Sequence, residues 1–270
     1  MKIQPYDREA LRRQFNSAEP FRFVRIDNFL EPLFASEVAA AYPSFEAATK
    51  QGRTFKAANE RRKIQISDAT LFPGPVAVLN QLLASPALLV DLSHLTGIPN
   101  LLADEQLDGA GMHLTGPGGR LDVHVDFNLI QDRKLHRRLN LLIYLNQVWE
   151  DEWGGQIQLW DKDVKNCWQS FVPKLNRCII FETSEISFHG VVPVAPAAPC
   201  PRISFAAYYY TREAPANWDG EFHSTIFKAR PEERLRGLVI MPAANIQQSL
   251  MSGLRTVKRT AKRLMSETRK

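Results

Sequence analysis

The 270-residue sequence predicts a mainly β fold with supporting helices, an α+β arrangement whose core is a jelly roll. Two observations predict it. After Asn100, short apolar segments alternate with turn residues at a spacing of roughly eight to twelve residues, which is typical of an all-β sandwich or barrel. Before Asn100, apolar residues recur at helical spacing, which predicts helices that pack against the sheet.

The N-terminal part is predicted to contain one strand and three helices. Residues 21–26 alternate along Phe-Arg-Phe-Val-Arg-Ile and predict an opening strand. Apolar residues at helical spacing predict a helix over residues 30–41 and a second over 75–84. Ser85 is a typical N-cap for a further helix that ends at Gly97.

A basic stretch, residues 45–63, lies between these helices. Its polar composition favours a solvated loop. The alternative is a mobile segment near a substrate entrance, because long loops often cover active sites.

Seven strands are predicted for the jelly roll, and they span residues 107–114, 121–127, 138–145, 155–160, 177–181, 187–191 and 202–210. The Gly-Pro-Gly-Gly run at 116–119 is interpreted as a tight turn between the first two strands. Trp153-Gly154-Gly155 is interpreted as another turn.

The composition is ordinary for a soluble protein with a buried core, with 44% hydrophobic and 23% charged residues. The three cysteines, Cys167, Cys178 and Cys200, are odd in number and form no CxxC pair, so the sequence indicates neither a disulfide framework nor a zinc knuckle. The N-terminus has no apolar segment typical of a signal peptide, and no apolar run approaches membrane-spanning length. We therefore expect a cytoplasmic protein.

The net charge of +5 is concentrated in the C-terminal tail, so the sequence does not predict a nucleic-acid-binding domain. Residues 243–270 combine an apolar stripe with basic residues and predict a basic amphipathic helix. This helix either docks on the domain or frays into solvent, or it contacts an anionic membrane surface, a nucleic acid or a partner. The oligomeric state does not follow from the sequence.

Two metal-ligand residue types stand side by side in the stretch 121–128. His124 and Asp126 are separated by one residue in an alternating, β-branched run that predicts a strand. Positions i and i+2 of a strand point to the same face, so the imidazole and the carboxylate project together. One more histidine would complete the two-histidine, one-carboxylate set that leaves open positions on a ferrous ion.

His189 is the candidate for the third ligand. It follows an apolar strand and a polar turn, and Gly190 beside it permits close backbone approach. The other histidines are interpreted as hydrogen-bonded core or surface residues, and they are His94, His113, His136 and His223. His136 is placed in a basic hairpin loop, residues 133–138.

Arg202 opens a hydrophobic strand in which an unpaired guanidinium would be costly. A salt bridge to an aspartate or glutamate is the structural explanation. A ligand carboxylate gripped by two parallel hydrogen bonds is the functional one. Ser204 faces the same way and could add a bond, as could Tyr144 from a neighbouring strand.

Other polar and aromatic residues near these motifs carry weaker predictions. Asp122 shares the face of His124 and is interpreted as a turn residue, with a contact to a metal-binding histidine as the alternative. Asn128 and Asn140 are candidates for pocket lining. The tryptophans interpreted as packing residues are Trp149, Trp153 and Trp160.

The motifs between about residues 107 and 211 form a recognisable series: His124-Val-Asp126, Tyr144-Leu145-Asn146, Trp153-Gly154-Gly155, His189-Gly190 and Arg202-Ile-Ser204. This series resembles the prolyl-4-hydroxylase-like branch of the Fe(II)- and 2-oxoglutarate-dependent oxygenases. The animal collagen enzymes of that group are secreted and have lysine where this chain has Arg202, whereas the bacterial and oxygen-sensing branches have arginine. The likeness is therefore to the bacterial type.

The resemblance implies a double-stranded β-helix core at about residues 107–211 within an oxygenase domain over 1–242. It implies Fe(II) on His124, Asp126 and His189, with the C5 carboxylate of 2-oxoglutarate on Arg202. It also implies O2 as the oxidant and leaves room for ascorbate. The implied reaction is hydroxylation of an unactivated C–H bond with release of succinate and CO2, and by analogy the leading substrate is a prolyl or other protein side chain.

Three alternatives remain open. The substrate could be a small metabolite, a glycan or a cell-envelope precursor. The chain could be a cupin-like metal enzyme that does not use 2-oxoglutarate, although Arg202 with Ser204 argues against that class. It could also be a non-catalytic β-sandwich that interacts with partners through its basic C-terminal helix.

Overall fold

The computed structural model describes residues 2–233, which form five α-helices and thirteen β-strands. The helices are α1 (Arg8–Ser17), α2 (Pro32–Ala40), α3 (Phe45–Gln51), α4 (Gly74–Leu83) and α5 (Pro86–Thr96). The strands are β1 (Phe23–Ile26), β2 (Arg53–Lys56), β3 (Glu60–Ile66), β4 (Leu102–Ala103), β5 (Gly111–Val125), β6 (Leu129–Ile130), β7 (Leu135–Tyr144), β8 (Ile157–Trp160), β9 (Cys167–Phe171), β10 (Cys178–Glu182), β11 (His189–Val191), β12 (Arg202–Thr211) and β13 (Ile226–Phe227). Three short 3₁₀ helices cover Ala69–Leu71, Asp151–Trp153 and Pro231–Glu233.

All thirteen strands belong to one curled antiparallel sheet with the order β1-β10-β7-β12-β5-β11-β8-β9 along its main path. Strand β5 connects two parts of this sheet. Its first half pairs with β12 and β3, and its second half pairs with β11. The predicted fold class, mainly β with supporting helices around a double-stranded β-helix, is confirmed.

Strand β5 corrects one detail of the prediction, because residues 116–119 do not form a tight turn. The chain continues through them as a bulge: Gly118 has φ +75°, and the pairing with β3 shifts register between Arg61 and Lys63. Val194 holds the bulge by accepting from the Gly118 N–H and donating to the Gly119 carbonyl, both at 2.9 Å. The two strands predicted at 107–114 and 121–127 are therefore one long bent strand.

The helices pack on one side of the sheet and share its main hydrophobic core. Helix α5 begins and ends as predicted, with the Ser85 hydroxyl accepting from the Leu88 N–H at 3.4 Å and Gly97 in the left-handed region at φ +73°. Helix α1 was not predicted. It is capped by Asp7 and buries only Leu11 and Phe15, too few apolar positions to mark a helix in a polar stretch.

The predicted loop at 45–63 is wrong. Ser44 caps helix α3 by accepting from the Ala47 N–H at 3.2 Å, and β2 and β3 then form a hairpin. Strand β3 continues the sheet by pairing with β5. Tertiary pairing with β5 thus decides the structure of a segment whose own composition is that of a loop.

The remaining predicted strands correspond to β7, β8, β10, β11 and β12, and the sequence did not predict the short or polar strands β2, β3, β4, β6, β9 and β13. In residues 2–233 no single helix is long and apolar enough to cross a membrane, although the bent pair α4 and α5 meets that test of length and composition jointly. The predicted C-terminal helix, 243–270, lies outside the described residues.

Candidate metal centre and co-substrate pocket

Strands β5 and β11 bring the three predicted metal-ligand residues together. His189 on β11 is the direct cross-strand partner of His124 on β5, and Asp126 follows the end of β5. Ligand atoms of the three residues all lie within 4.8 Å of one another. His124 Nε2 is 3.6 Å from Asp126 Oδ1, and His189 Nε2 is 3.5 Å from Asp126 Oδ2. The two histidines and the carboxylate thus converge on one point.

Each histidine is oriented by the backbone two residues before it. The His124 Nδ1 lies 2.8 Å from the Asp122 carbonyl oxygen, and the His189 Nδ1 lies 2.9 Å from the Ser187 carbonyl oxygen. A carbonyl can only accept, so each Nδ1 carries a proton and each Nε2 is the ring nitrogen that can face a metal. Burial, together with the nearby His124, lowers the pKa of His189 to about 3, so its ring is neutral and ready to ligate.

Asp126 is held by two residues of β7. The Asn140 side-chain amide donates to Asp126 Oδ2 at 2.7 Å, and Arg137 Nη2 lies 3.1 Å from the same oxygen. Burial opposes ionisation of this carboxyl, but the Arg137 guanidinium and the two histidines hold the pKa of Asp126 well below its usual range. The carboxylate is therefore charged, and its Oδ1 remains turned towards His124.

Arg137 was not predicted as a site residue. Its guanidinium is buried between two aromatic rings, 3.6 Å from the Tyr208 ring centroid and 4.7 Å from that of Phe127. It also donates through Nε and Nη2 to the side-chain oxygen Oδ1 of Asn140, at 3.0 and 2.7 Å. Arg137 and Asn140 thus form one unit that fixes the metal-facing carboxylate.

Gly190 lets β11 approach β5 closely. A Cβ on Gly190 would lie only 3.0 Å from the backbone N and Cα of Val123. On the other side of β5, Phe227 of β13 packs its ring 5.3 Å from that of His124, centroid to centroid. Both contacts limit the movement of the histidine rings.

Arg202, at the start of β12, is buried without a carboxylate partner among residues 2–233. Its Nε donates to the Gly155 carbonyl at 2.7 Å, and its Nη1 lies at 3.4 Å from the Ser204 hydroxyl. The structural explanation, a salt bridge within the protein, is therefore absent from the described part of the chain. A buried guanidinium that no carboxylate of the described residues neutralises suits an anionic ligand.

Two of the sequence motifs hold Arg202 in place. Asn146 donates to the Pro201 carbonyl at 2.9 Å and accepts from the Ile203 N–H at 2.8 Å, which clamps the backbone on both sides of Arg202. Gly155 has φ +74°, and a Cβ there would lie 3.2 Å from the Arg202 Cδ. The Tyr-Leu-Asn and Trp-Gly-Gly runs therefore position the guanidinium.

Ser204 and Tyr144 lie next to Arg202 as predicted from strand geometry. They are cross-strand partners on β12 and β7, and the Arg202 Cζ sits 4.8 Å from the Tyr144 ring centroid. Burial raises the pKa of Tyr144 to about 12, so its hydroxyl stays protonated. That hydroxyl is buried without a hydrogen-bond partner in the described residues and can donate to a ligand.

One cavity of about 1240 Å³ connects the two groups. Its lining includes the three candidate metal-ligand residues, His124, Asp126 and His189, together with Arg202 and Ser204. The β2–β3 hairpin and the residues that join its strands form another part of the wall. The residues predicted separately on β5, β11 and β12 thus face one space.

Two secondary predictions are wrong. Asp122 is not a turn residue: it is fully buried on β5, and its carboxylate accepts from Arg120 Nε at 2.6 Å. His136 is not in a hairpin loop: it lies buried on β7, with its ring 4.6 Å from that of Trp218. Both errors arise because polar residues in these positions are buried by packing with distant segments.

The remaining asparagines, histidines and tryptophans singled out in the sequence lie both inside and outside the cavity wall. Asn140 lines the cavity, whereas Asn128 binds the Glu221 carbonyl at 2.9 Å and ties down the segment after β12. His94 Nε2 lies 2.7 Å from a Glu9 carboxylate oxygen, and His223 Nε2 lies 2.7 Å from a Glu185 carboxylate oxygen. The three tryptophans occupy packing positions in two small hydrophobic clusters.

The fold and the site define a class: a curled antiparallel jelly roll with a facial set of two histidines and one carboxylate in its cavity. Comparison with known proteins identifies the family that this class of fold and site corresponds to. Residues 110–210 match the family model described as the 2OG-Fe(II) oxygenase superfamily, so the chain carries a 2OG-Fe(II) oxygenase domain.

Among curated proteins, the mouse protein named prolyl 3-hydroxylase OGFOD1 is 32% identical over 90 residues, which is 32% of this chain and 16% of the mouse protein. The match thus spans only a small part of that relative. Among solved structures, a Pseudomonas putida prolyl-4-hydroxylase has a TM-score of 0.52 at 15% identity, covering 74% of this chain and 98% of that one. A Trichoplax adhaerens prolyl hydroxylase in complex with a hypoxia inducible factor peptide has a TM-score of 0.54 at 19% identity, covering 75% and 90%. At these identities the structures show a shared fold.

The residues present fit the cofactors of this family. Two imidazoles and one charged carboxylate suit Fe(II), and the buried guanidinium in the same cavity, which has no carboxylate partner among residues 2–233, suits a carboxylate of 2-oxoglutarate. Zn(II) could bind the same donor set by affinity alone, so the metal bound in a cell also depends on availability.

Proposed function

We propose that this chain is an Fe(II)- and 2-oxoglutarate-dependent hydroxylase that acts on a prolyl or other protein side chain. The observation that carries the proposal is the pairing, in one cavity, of the His124–Asp126–His189 set with a buried Arg202 that has no carboxylate partner in residues 2–233. A cupin-like metal enzyme would not need that guanidinium.

In this proposal each residue has a defined task. His124 and His189 hold the metal through their Nε2 atoms, and Asp126 holds it through a carboxylate oxygen. Arg202, with Ser204 and the Tyr144 hydroxyl beside it, binds the distal carboxylate of 2-oxoglutarate. When bound, iron with 2-oxoglutarate and O2 supplies the oxidising power to place one oxygen atom on a C–H bond, with release of succinate and CO2. The protein orients these groups and keeps water away from them.

A protein side chain as substrate is supported by two observations. The curated mouse relative is named a prolyl 3-hydroxylase, although the match spans only 16% of it. The cavity of about 1240 Å³ exceeds the roughly 300–1,000 Å³ typical of small-ligand pockets, which leaves room for a residue of a second chain beside the co-substrate.

The proposal is tested with the purified full chain, Fe(II), 2-oxoglutarate and O2. Succinate release is measured first, and cell extract is then searched by mass spectrometry for peptides that gain one oxygen atom. His189→Ala is the matched inactive control. A wild-type protein that neither binds 2-oxoglutarate in the presence of Mn(II) nor releases succinate would refute the proposed function.

A further inference from the structure

Asn59 is an unusual residue in the cavity wall. It lies at the end of the connection between β2 and β3, is only 1% exposed and lines the same cavity as the metal-ligand set. Both its side-chain nitrogen and its side-chain oxygen are buried without a hydrogen-bond partner among the residues that the structure describes. No other carboxamide in the described range 2–233 has both its nitrogen and its oxygen in this condition.

Burial of an unpaired carboxamide is costly, so such groups are normally satisfied. The other buried carboxamides of this cavity follow the rule. Gln65 donates to the Ser67 hydroxyl and the Ala110 carbonyl, and Asn140 bonds to both Asp126 and Arg137. Asn59 therefore has the character of a residue whose partner is supplied from outside the chain.

The backbone of Asn59 is fixed, which makes its side chain a defined binding group. Its carbonyl accepts from the Asp122 N–H at 2.9 Å, two residues before His124. Beside it, Glu60 and Lys63 satisfy each other through an ion pair of 2.7 Å. The neutral amide thus stands next to a neutralised charge pair, a setting that favours a neutral polar ligand.

We propose that Asn59 binds a backbone amide of a polypeptide substrate, with its oxygen accepting the substrate N–H and its nitrogen donating to the substrate carbonyl. This inference rests on the proposed function and specifies its substrate class. A carboxamide offers one acceptor and a donor at the same reach, which matches a secondary amide. The neighbouring strand β2 presents Arg53, Phe55 and Lys56 to the same cavity, and its four residues extend for about 13 Å, enough wall for several residues of an extended chain.

The test uses the full chain loaded with Mn(II) and 2-oxoglutarate, so that binding is measured without turnover. The probes are a set of nine-residue peptides with a central proline and varied flanks. For the tightest binder, two ester analogues each lack one backbone N–H, on either side of the proline. Binding is followed by fluorescence anisotropy for the wild type, for Asn59→Ala and Asn59→Leu, and for Gln106→Ala. Gln106 is a matched control because its carboxamide lines the same cavity but is exposed to solvent.

We expect Asn59→Ala and Asn59→Leu to bind the peptide about ten-fold more weakly than the wild type, the loss that two neutral hydrogen bonds imply. Gln106→Ala should bind like the wild type. One of the ester analogues should be weaker than the parent peptide for the wild type and equal to it for Asn59→Ala. Calorimetry of 2-oxoglutarate binding to each variant reports that the variant is folded.

The outcomes separate this inference from the proposed function. A wild type that binds 2-oxoglutarate but none of the peptides overturns the peptide-binding role of Asn59 alone. Equal peptide affinity in the wild type and both Asn59 variants overturns it as well. A wild type that does not bind 2-oxoglutarate overturns the proposed function itself.

Discussion

Replacement of Arg202 gives a direct measure of its role. The guanidinium is buried, donates to Gly155 and lies 4.8 Å from the Tyr144 ring centroid, yet no carboxylate pairs with it in residues 2–233. Arg202→Met fills most of the same volume and removes the charge. The variant should lose affinity for 2-oxoglutarate while the ligand-free protein loses little or no stability.

The expected loss of 2-oxoglutarate affinity follows from the strength of a hydrogen bond to a charged group. A hydrogen bond to a charged group contributes about 1.5–3 kcal/mol, so the dissociation constant of 2-oxoglutarate should rise about ten- to a hundred-fold. The ligand-free state behaves differently, because an unpaired buried charge is costly and its removal relieves that cost. Arg202→Lys keeps the charge but loses the bond to Gly155 and the planar fork, so its affinity should fall between the other two.

Calorimetry with Mn(II)-loaded protein measures the affinity, and urea denaturation of the metal-free protein measures the stability. Arg22→Ala is a matched control, since the Arg22 guanidinium is already paired with Glu182 at 2.6 Å. Unchanged 2-oxoglutarate affinity in Arg202→Met would show that the guanidinium does not bind the co-substrate. A large loss of stability with no change in affinity would assign it a purely structural role.

Three further predictions concern the metal centre and the buried histidines. Asn140→Ala removes the 2.7 Å bond to Asp126 and should weaken Mn(II) binding about ten- to a hundred-fold by calorimetry; an unaltered Mn(II) isotherm would contradict the clamp role. Gly190→Ala places a Cβ 3.0 Å from the Val123 backbone and should lower the free energy of unfolding by about 1–3 kcal/mol in urea and weaken metal binding, whereas a fully stable, metal-binding variant would refute the close-approach argument. Burial holds the pKa of His113 well below its ordinary value of 6.5, so the folded protein does not take up the proton that the unfolded chain binds. The free energy of unfolding of the metal-free protein should therefore fall as the pH drops below 6.5, and His113 contributes up to about 1.4 kcal/mol per pH unit to that slope. Urea titrations of His113→Asn at several pH values should show a shallower slope; the same slope as the wild type would count against a buried neutral imidazole.

The metal-ligand set could be predicted because it depends on strand geometry. His124 and Asp126 share a face through the two-residue period of a strand, and that period is visible in the sequence. Arg202 was equally visible as a charge in an apolar strand. The structure places all these residues around one cavity.

Arg137 could not be predicted, because its neighbours in sequence are charged and its partners are not neighbours. It belongs to the basic run 133–138, which has the composition of a solvated loop. Its burial depends on the rings of Phe127 and Tyr208, which reach it from outside that run. The spacing of Arg137 and Asn140 gave no signal, because positions i and i+3 of a regular strand point to opposite faces, and only the register shift beside Tyr209 and Tyr210 changes this.

The hairpin β2–β3 was missed for a related reason. Its residues are polar and basic, and only its pairing with β5 makes it part of the sheet. Asn59 was therefore hidden in a stretch interpreted as solvated, although it is among the most buried polar residues of the cavity wall.

Strand β5 sets the distance between the metal-ligand residues and Arg202. Thr115 is the partner of Arg202 and His124 is the partner of His189, so nine positions of a single continuous backbone (124 − 115) set the span between the two anchoring groups. Deleting one residue from the glycine bulge would shorten this span. It would also move each later side chain of β5 to the opposite face of the sheet, so that the imidazole of His124 would point away from the cavity. The distance between the metal-ligand residues and Arg202 is therefore set by the covalent chain of one strand and not by the loops that border the cavity.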